Sequence, residues 1–237
     1  MSCRLFNIGN THVLTAKLLP DGIISDYRVF DTPCFDPTIF PEEEQAVVSV
    51  VPLWEKYFSE KGAFVLNWAG CSPVLSLSEM GTPETIGADR IANSVALIST
   101  GKVPALCIDC GTAITFEFVD SGCRLRGGAI LPGRQLLRKS LHDYTAKLPL
   151  VPLADKLHPV PGKNTVEAIQ IGTDTGAVGA VREILEQFRR IEPGLRIVFC
   201  GGDSSFFAPN FPDAEVYGAD FTLKGLAHAL QVCRKHK

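Results

Sequence analysis

The sequence predicts an α/β protein made of two related domains, and three observations carry that expectation. Strand-like apolar runs alternate with amphipathic helical stretches along the whole chain. Two strand-turn-strand segments repeat one design, residues 3–8 running into Gly9-Asn10-Thr11 and residues 103–108 running through Asp109-Cys110 into Gly111-Thr112. The 237 residues, 46% of them hydrophobic and 21% charged, suffice for two modest domains with real cores. A loop rich in Ser, Pro and Gly over residues 71–85 is the best boundary, so the domains are expected at 1–85 and 86–237.

In order along the chain, residues 3–8 read as a short apolar strand and 12–19 as its hairpin partner, followed by a turn at Pro20-Asp21-Gly22 and a third strand at 23–29. Residues 31–44, with three prolines and three consecutive glutamates, read as a surface loop. A β-branched run at 47–51 suits a buried strand, Pro52 opens a helix through Lys61, and 64–68 is the next strand. Residues 86–99 are helical, with Ile91, Val95 and Ile98 on one stripe and Asp89-Arg90 in the first turn. The second hairpin occupies 103–119. A strand at 125–131 carries Gly127-Gly128, expected to bring the backbone close to something, and Pro132-Gly133 starts a helix to Tyr144. Residues 148–163 are a proline-rich loop. A long helix at 165–190 repeats Gly172, Gly176 and Gly179, a pattern that costs helix propensity but permits close packing against another helix, for instance at a subunit contact. A strand at 197–200 ends in Gly201-Gly202-Asp203, a further turn suited to a nucleotide, and 223–234 is an amphipathic last helix.

Composition excludes several classes. A net charge of −3 gives no electrostatic reason to seek nucleic acid, and the short basic tail Arg234 to Lys237 reads as a solvated helix end. No apolar run approaches the ~20 residues a bilayer requires, and Met1-Ser2-Cys3-Arg4 leads into a strand, so no membrane association and a cytoplasmic location are expected. Of the 8 cysteines, Cys3, Cys107, Cys110 and Cys200 sit in apolar strands, where reduced thiols are small hydrophobes; Cys107-x-x-Cys110 has neither the helix start of a redox motif nor a second pair for zinc. His228 and His236 fall on the last helix as surface or capping groups.

The chemistry concentrates in the two hairpins. Gly111 lets the backbone approach an anion, Thr112 and Thr115 offer hydroxyls, and Asp109 can hold a cation nearby. A duplicated pair of such turns suits a nucleotide gripped from both sides.

The ordered set Asn7-Ile8-Gly9-Asn10-Thr11, Gly87-Ala88-Asp89-Arg90, Asp109-Cys110-Gly111-Thr112-Ala113-Ile114-Thr115, Gly127-Gly128-Ala129-Ile130 and Thr222-Leu223-Lys224-Gly225-Leu226 resembles the type III pantothenate kinases over almost the whole chain. Ser49-Val50-Val51-Pro52, Thr145-Ala146-Lys147-Leu148-Pro149 and Thr165-Val166-Glu167-Ala168-Ile169-Gln170 are similar to that family's segments too. The resemblance implies an actin-like, sugar-kinase-like fold of two ribonuclease-H-like domains around a nucleotide cleft. It also implies a homodimer and the ATP-dependent phosphorylation of pantothenate, the first step towards coenzyme A.

Carried over by position, Asp89 is the catalytic carboxylate, and Gly87, Ala88 and Arg90 complete the substrate-binding run, although Arg90 is as readily structural. Asp109 is expected to bind a monovalent cation, K+ or NH4+, and Thr112 to contact ATP, which arrives with Mg2+. The run Asn7, Ile8, Gly9, Asn10 and Thr11 is expected at the nucleotide, while Thr165 is expected either at the substrate near the dimer interface or as a plain helix cap. Two departures stand out. The family's first motif opens on aspartate where this chain has Asn7, which predicts weaker magnesium handling, and the stretch from Val29 to Val47 is too short for the helix the family places there. Alternative readings are a kinase-like regulatory protein that binds nucleotide or pantothenate, and an actin-fold kinase for another small hydroxylated substrate.

Overall fold

The computed structural model describes residues 2–40 and 44–235. Met1, residues 41–43 of the acidic loop, and the tail residues His236 and Lys237 lie outside the described residues.

The first sheet holds β1 (Cys3–Ile8), β2 (His12–Leu18), β3 (Ile24–Asp31), β4 (Glu44–Ser49) and β5 (Phe64–Val65) in the order β3-β2-β1-β4-β5. Neighbours β1, β2 and β3 are antiparallel, as short turns require, whereas β4 runs parallel to β1 and β5 to β4. Central β1 is buried along nearly its whole length, and its register sets Asn7 opposite Leu14 on one side and Val48 on the other. The second sheet holds β6 (Ala105–Cys110), β7 (Ala113–Val119), β8 (Leu125–Pro132), β9 (Arg196–Cys200) and β10 (Glu215–Val216) in the order β10-β9-β6-β7-β8. Numbered from its own first strand, the second sheet has the strand order of the first. The repeat read from two glycine hairpins is thus present at the level of topology.

Contacts divide the chain into two compact units. The first comprises Met1–Cys107, Glu117–Gly127 and Ala219–Lys237. Its helices include α1 (Pro52–Glu60), α2 (Ala88–Ser99) and α7 (Phe221–Lys235). Proline at the first position of α1 gives up an N–H that the helix leaves unbonded anyway. Gly225 explains how α7 meets α2, since a Cβ there would stand 1.8 Å from Ala92 O; beside it, buried Thr222 donates to Asn93 Oδ1 at 2.8 Å. The core gathers on Phe6, whose ring lies 4.9 Å from Phe58 and 5.5 Å from Phe40.

The second unit comprises Ile108–Phe116 and Gly128–Gly218, with α3 (Arg134–Asp143), α4 (Thr165–Gln170), α5 (Gly176–Ile191) and α6 (Ser204–Phe207).

Several sequence expectations are refined by the structure. The strand expected at 64–68 stops at Val65, because Asn67 Oδ1 accepts from the N–H groups of Ala69 and Gly70 and turns the chain. The single helix expected at 165–190 is two helices joined by a π-helical turn, Ile171–Thr175, which buries Thr173 and Asp174. A Cβ on Gly172, Gly176 or Gly179 would meet nothing within 4 Å, so among the described residues of this chain no element packs tightly on that glycine face. Gly127 is likewise uncrowded; its φ of 118° is what calls for glycine. In the loop at 32–40 two short 3-10 turns stand where the family resemblance implies a helix, and Phe35 and Phe40, both 6% exposed, pack inward on Phe6.

Candidate active site

Asp89 sits in the first turn of α2, where a carboxylate is favoured by the helix dipole. Its Oδ1 accepts from Arg90 N at 2.8 Å and folds back over Gly87, where an added Cβ would stand only 2.6 Å from it. Burial pushes the Asp89 carboxyl above the ordinary range, while the Arg90 N–H and charge pull the other way. Such a carboxylate is more basic than a solvated one. Arg90 turns its Nε to Glu117 Oε1 at 2.8 Å, and Glu117 is 0% exposed, so the guanidinium is anchored inward by a buried partner.

Beside this turn lies a cavity of about 360 Å³, within the range of small-molecule sites, lined among others by Ser49, Glu55, Asn67, Trp68, Glu84 and Gly87. Glu55 accepts from Asn67 Nδ2 at 3.3 Å. Trp68 offers an apolar face and the two glutamates offer acceptors. Ala88 lines the same cavity.

The β1–β2 turn adjoins the same wall. Val50 N donates to Ile8 O at 3.1 Å, and Val50 Cγ1 would lie 3.7 Å from a Cβ on Gly87. Gly9 N donates to His12 O at 2.9 Å, and Thr32 ties the turn down by donating Oγ1 to Gly9 O at 2.7 Å and N to Thr11 O at 2.9 Å. Asn10 and Thr11 are exposed, Asn7 is half-buried, and the Ile8 side chain is core. Of the expected site residues, Asn7 to Thr11 and Gly87 to Arg90 therefore belong to the first unit, and Ile8 and Gly87 border the Ser49–Val50 step.

Asp109, Thr112 and Thr165 belong to the second unit. Asp109 is half-buried on β6 and Thr112 is exposed in the β6–β7 turn, where Gly111 N donates to Ala113 O at 3.0 Å. Two glycines wall this turn: a Cβ on Gly201 would lie 2.3 Å from Asp109 Oδ1, and one on Gly133 would lie 2.2 Å from Gly111 O. Thr165 is exposed at the first position of α4, and the cap role belongs to Asn164, whose Oδ1 accepts from Glu167 N at 3.0 Å while Glu167 accepts in return from Lys163 N. That corrects the capping alternative for Thr165.

A buried charge cluster in the second unit has no counterpart in the sequence motifs. Arg134 makes a two-pronged contact with Asp203 at 2.7 and 2.6 Å, and Asp174, 0% exposed, lies 3.2 Å from Arg134 and 2.7 Å from Arg138. Pro132-Gly133-Arg134 and Gly201-Gly202-Asp203 each carry the glycine signal of a close approach, but their pairing is invisible along the chain. The cavity residues Glu55, Asn67, Trp68 and Glu84 carried no signal beyond residue type.

Two sheets of one strand order, each with a glycine hairpin at its centre, define the actin-like ATPase and sugar-kinase class. Solved structures agree. A Campylobacter jejuni protein assigned to the Baf family of transcriptional activators superposes with TM-score 0.69 over 98% of this chain and 99% of that one, at 20% identity. The activator of 2-hydroxyisocaproyl-CoA dehydratase from Clostridium difficile, solved with ADPNP, superposes with TM-score 0.56 over 100% and 97%, at 10% identity. These likenesses concern the fold alone. Within that class the chain belongs to the type III pantothenate kinase family, a nucleotide-using family whose profile matches residues 42–187. It is 30% identical to the type III pantothenate kinase of Flavobacterium johnsoniae over 95% of this chain and 96% of that one. It is 33% identical to that of Methylacidiphilum infernorum over 84% of this chain and 74% of the relative.

Proposed function

We propose that this enzyme transfers the γ-phosphoryl group of ATP to the primary hydroxyl of pantothenate, giving the phosphate ester and ADP. The observation that carries the reading is the half-buried Asp89 carboxylate, raised in basicity by burial, beside a cavity of about 360 Å³. In the transfer a bond forms between the hydroxyl oxygen and the γ-phosphorus as the bond to the β–γ bridging oxygen breaks. The transition state is loose, so Asp89 acts chiefly by orienting the hydroxyl and accepts its proton late. Gly87 and Ala88 shape the acceptor's seat, and Arg90, held by Glu117, offsets negative charge at the helix start. Hydroxyl and amide donors of pantothenate suit the Glu55 and Glu84 acceptors, with its gem-dimethyl group against Trp68.

Exposed Asn10, Thr11 and Thr112, with the backbone at Gly9 and Gly111, are the phosphate-facing groups of the two turns. Asp109 fits a monovalent cation, K+ or NH4+. It is one carboxylate in a cradle that a side chain on Gly201 would fill, and a lone charge supplemented by carbonyl oxygens suits single charge better than a divalent cage. Magnesium, when bound with ATP, neutralises phosphate charge; Asn7 offers it an acceptor oxygen without a formal charge.

The same reading takes residues 1–85 and 86–237 as two ribonuclease-H-like domains, each centred on one five-stranded sheet. It takes the enzyme as a cytoplasmic homodimer with Thr165 at the substrate near the subunit contact. The open glycine face at Gly172, Gly176 and Gly179, and exposed Tyr144 and Val160 at 88% and 73%, support an apolar contact between copies. The test is incubation with ATP, magnesium, potassium and pantothenate. Phosphopantothenate should form with the parent and vanish with Asp89→Asn, and absence of product from the parent overturns the reading.

A further inference from the structure

Arg134, the first residue of α3, and Asp203, just before α6, stand one on each glycine wall of the β6–β7 turn in the second unit. Arg134 follows Gly133, whose N–H donates to Thr112 O at 2.9 Å and whose α-carbon crowds Gly111 O. Asp203 closes the loop begun by Gly201, which abuts Asp109, and its own N–H donates to Cys110 O at 2.9 Å. The turn at 109–112 is thus gripped from two sides, and the two grips are joined: Arg134 Nε donates to Asp203 Oδ2 at 2.7 Å and Nη2 to Oδ1 at 2.6 Å.

The rest of the guanidinium is engaged within the protein. Nη1 donates to Ala154 O at 2.9 Å and lies 3.2 Å from Asp174 Oδ1, while Arg134 Cζ stands 3.3 Å from the centre of the Phe206 ring. At 2% exposure, with all three nitrogens directed inward, Arg134 is no phosphate ligand. We infer that the Arg134–Asp203 pair is a positioning clasp that holds both glycine walls against the β6–β7 turn and so sets its affinity for nucleotide phosphates and the monovalent cation. This rests on the proposed reading of that turn as the nucleotide and cation site.

Arg138 supplies the control. It lies one turn along α3, is 0% exposed, and bonds to Asp174 Oδ2 at 2.7 Å, Thr173 Oγ1 at 3.2 Å and the Pro152 carbonyl. Its charge is as deeply buried, but these partners lie on neither wall.

The experiment is calorimetric titration of ADP into the whole chain with magnesium, at a series of potassium concentrations, alongside melting temperatures. Arg134→Lys keeps the charge and loses the fork; Asp203→Asn keeps the backbone bond to Cys110 and weakens the pair. Each is expected to weaken ADP binding about tenfold and to raise the potassium requirement, as loss of a group that supports a binding site does. Arg138→Lys, which reaches Arg134 only through their shared partner Asp174 and touches neither glycine wall, is expected to lower the melting temperature at least as much while leaving the ADP affinity within about twofold. Unchanged ADP affinity in Arg134→Lys and Asp203→Asn, or equal weakening in Arg138→Lys, overturns the clasp. A parent that binds no ADP removes the reading of the turn itself. Should Arg134→Lys fail to fold, Asp203→Asn carries the test, since its side chain is 21% exposed.

Discussion

The two central hairpins have one topology and opposite surroundings. Asn7 and Asp109 each stand on the middle strand of a five-stranded sheet, two residues before the turn glycine. At the first turn a Cβ on Gly9 would meet only His12 O, at 3.2 Å, and a threonine from β3's end ties the loop down. The second turn is enclosed by Gly133 and Gly201, both in contact too close for any side chain. Strand order is set by hydrophobic pattern and turn geometry, which tolerate many residues at the corner. The charge at the corner is set by what surrounds it. A carboxylate is found where backbone encloses it and an amide where the turn is open.

That contrast bears on catalysis only if the turns serve a phosphoryl transfer, and Asp89→Asn is the harshest way to break the link. Turnover is expected to fall about 10²–10⁴-fold, the usual worth of a general base. The same change should stabilise the fold. Burial raises the Asp89 pKa, so its contribution to stability is present in the protonated form at low pH and is lost as pH rises through the folded-state value. At neutral pH the ionised group is therefore a cost that asparagine removes. A higher melting temperature is expected by scanning calorimetry at about pH 7.5, and the gain should shrink as the pH is lowered and the parent carboxyl becomes protonated. In the parent, kcat/KM should fall as pH drops through this raised value. A variant both inactive and less stable would contradict the assignment of burial as the dominant influence on Asp89.

Gly201→Ala and Gly9→Ala compare the enclosures directly. At Gly201 the methyl would overlap Asp109 Oδ1 and Cys110 O at 2.3 and 2.5 Å, on a backbone with φ of 86°, and a loss of about 3 kcal/mol is expected. At Gly9 the nearest atom would be 3.2 Å away, and the loss should stay below about 1 kcal/mol. Urea denaturation measures both, and equal losses would mean that the two turns are not differently enclosed.

The topology was legible because period-two strands, glycine turns and a proline-led helix are local signals. Asp89's place in a first helical turn was legible for the same reason. Arg134 and Asp203 were not legible as a pair, since 69 residues separate them and the glycine turn before each says nothing of its partner. Nor does helical periodicity disclose the π-helical turn at Ile171–Thr175, because the turn serves Asp174, whose buried partners Arg134 and Arg138 come from another helix. Phe35 and Phe40 sit in a segment whose prolines and charges mark it as loop, which it is, while their rings complete the core around Phe6. Local rules place backbone; they do not say which loop side chains turn inward.

Exchanging the corner groups sharpens the comparison at smaller scale. Asp109→Asn should remove most of the activation by potassium and raise the KM for ATP about tenfold or more, the loss of a charge-assisted contact of ~1.5–3 kcal/mol. Steady-state kinetics with and without potassium read it, and potassium activation that survives would place the cation elsewhere.

Asn7→Asp is the reverse exchange and the mildest. It adds a carboxylate where the strand already offers an amide oxygen, at a half-buried position between Leu14 and Val48, so the shape of the corner is kept. With magnesium and ATP present, the added charge should lower the magnesium concentration for half-maximal rate, or raise turnover, by up to about tenfold, the lower end of what one charge-assisted bond supplies. Without magnesium the half-buried carboxylate has no cation to offset its desolvation, so the free protein should melt a few degrees lower. That opposition separates a metal-facing role from a packing role. If position 7 only fills space, the variant melts lower and its magnesium dependence matches the parent's; if it faces the metal, the two readouts move in opposite directions, and magnesium with ADP restores the lost melting temperature.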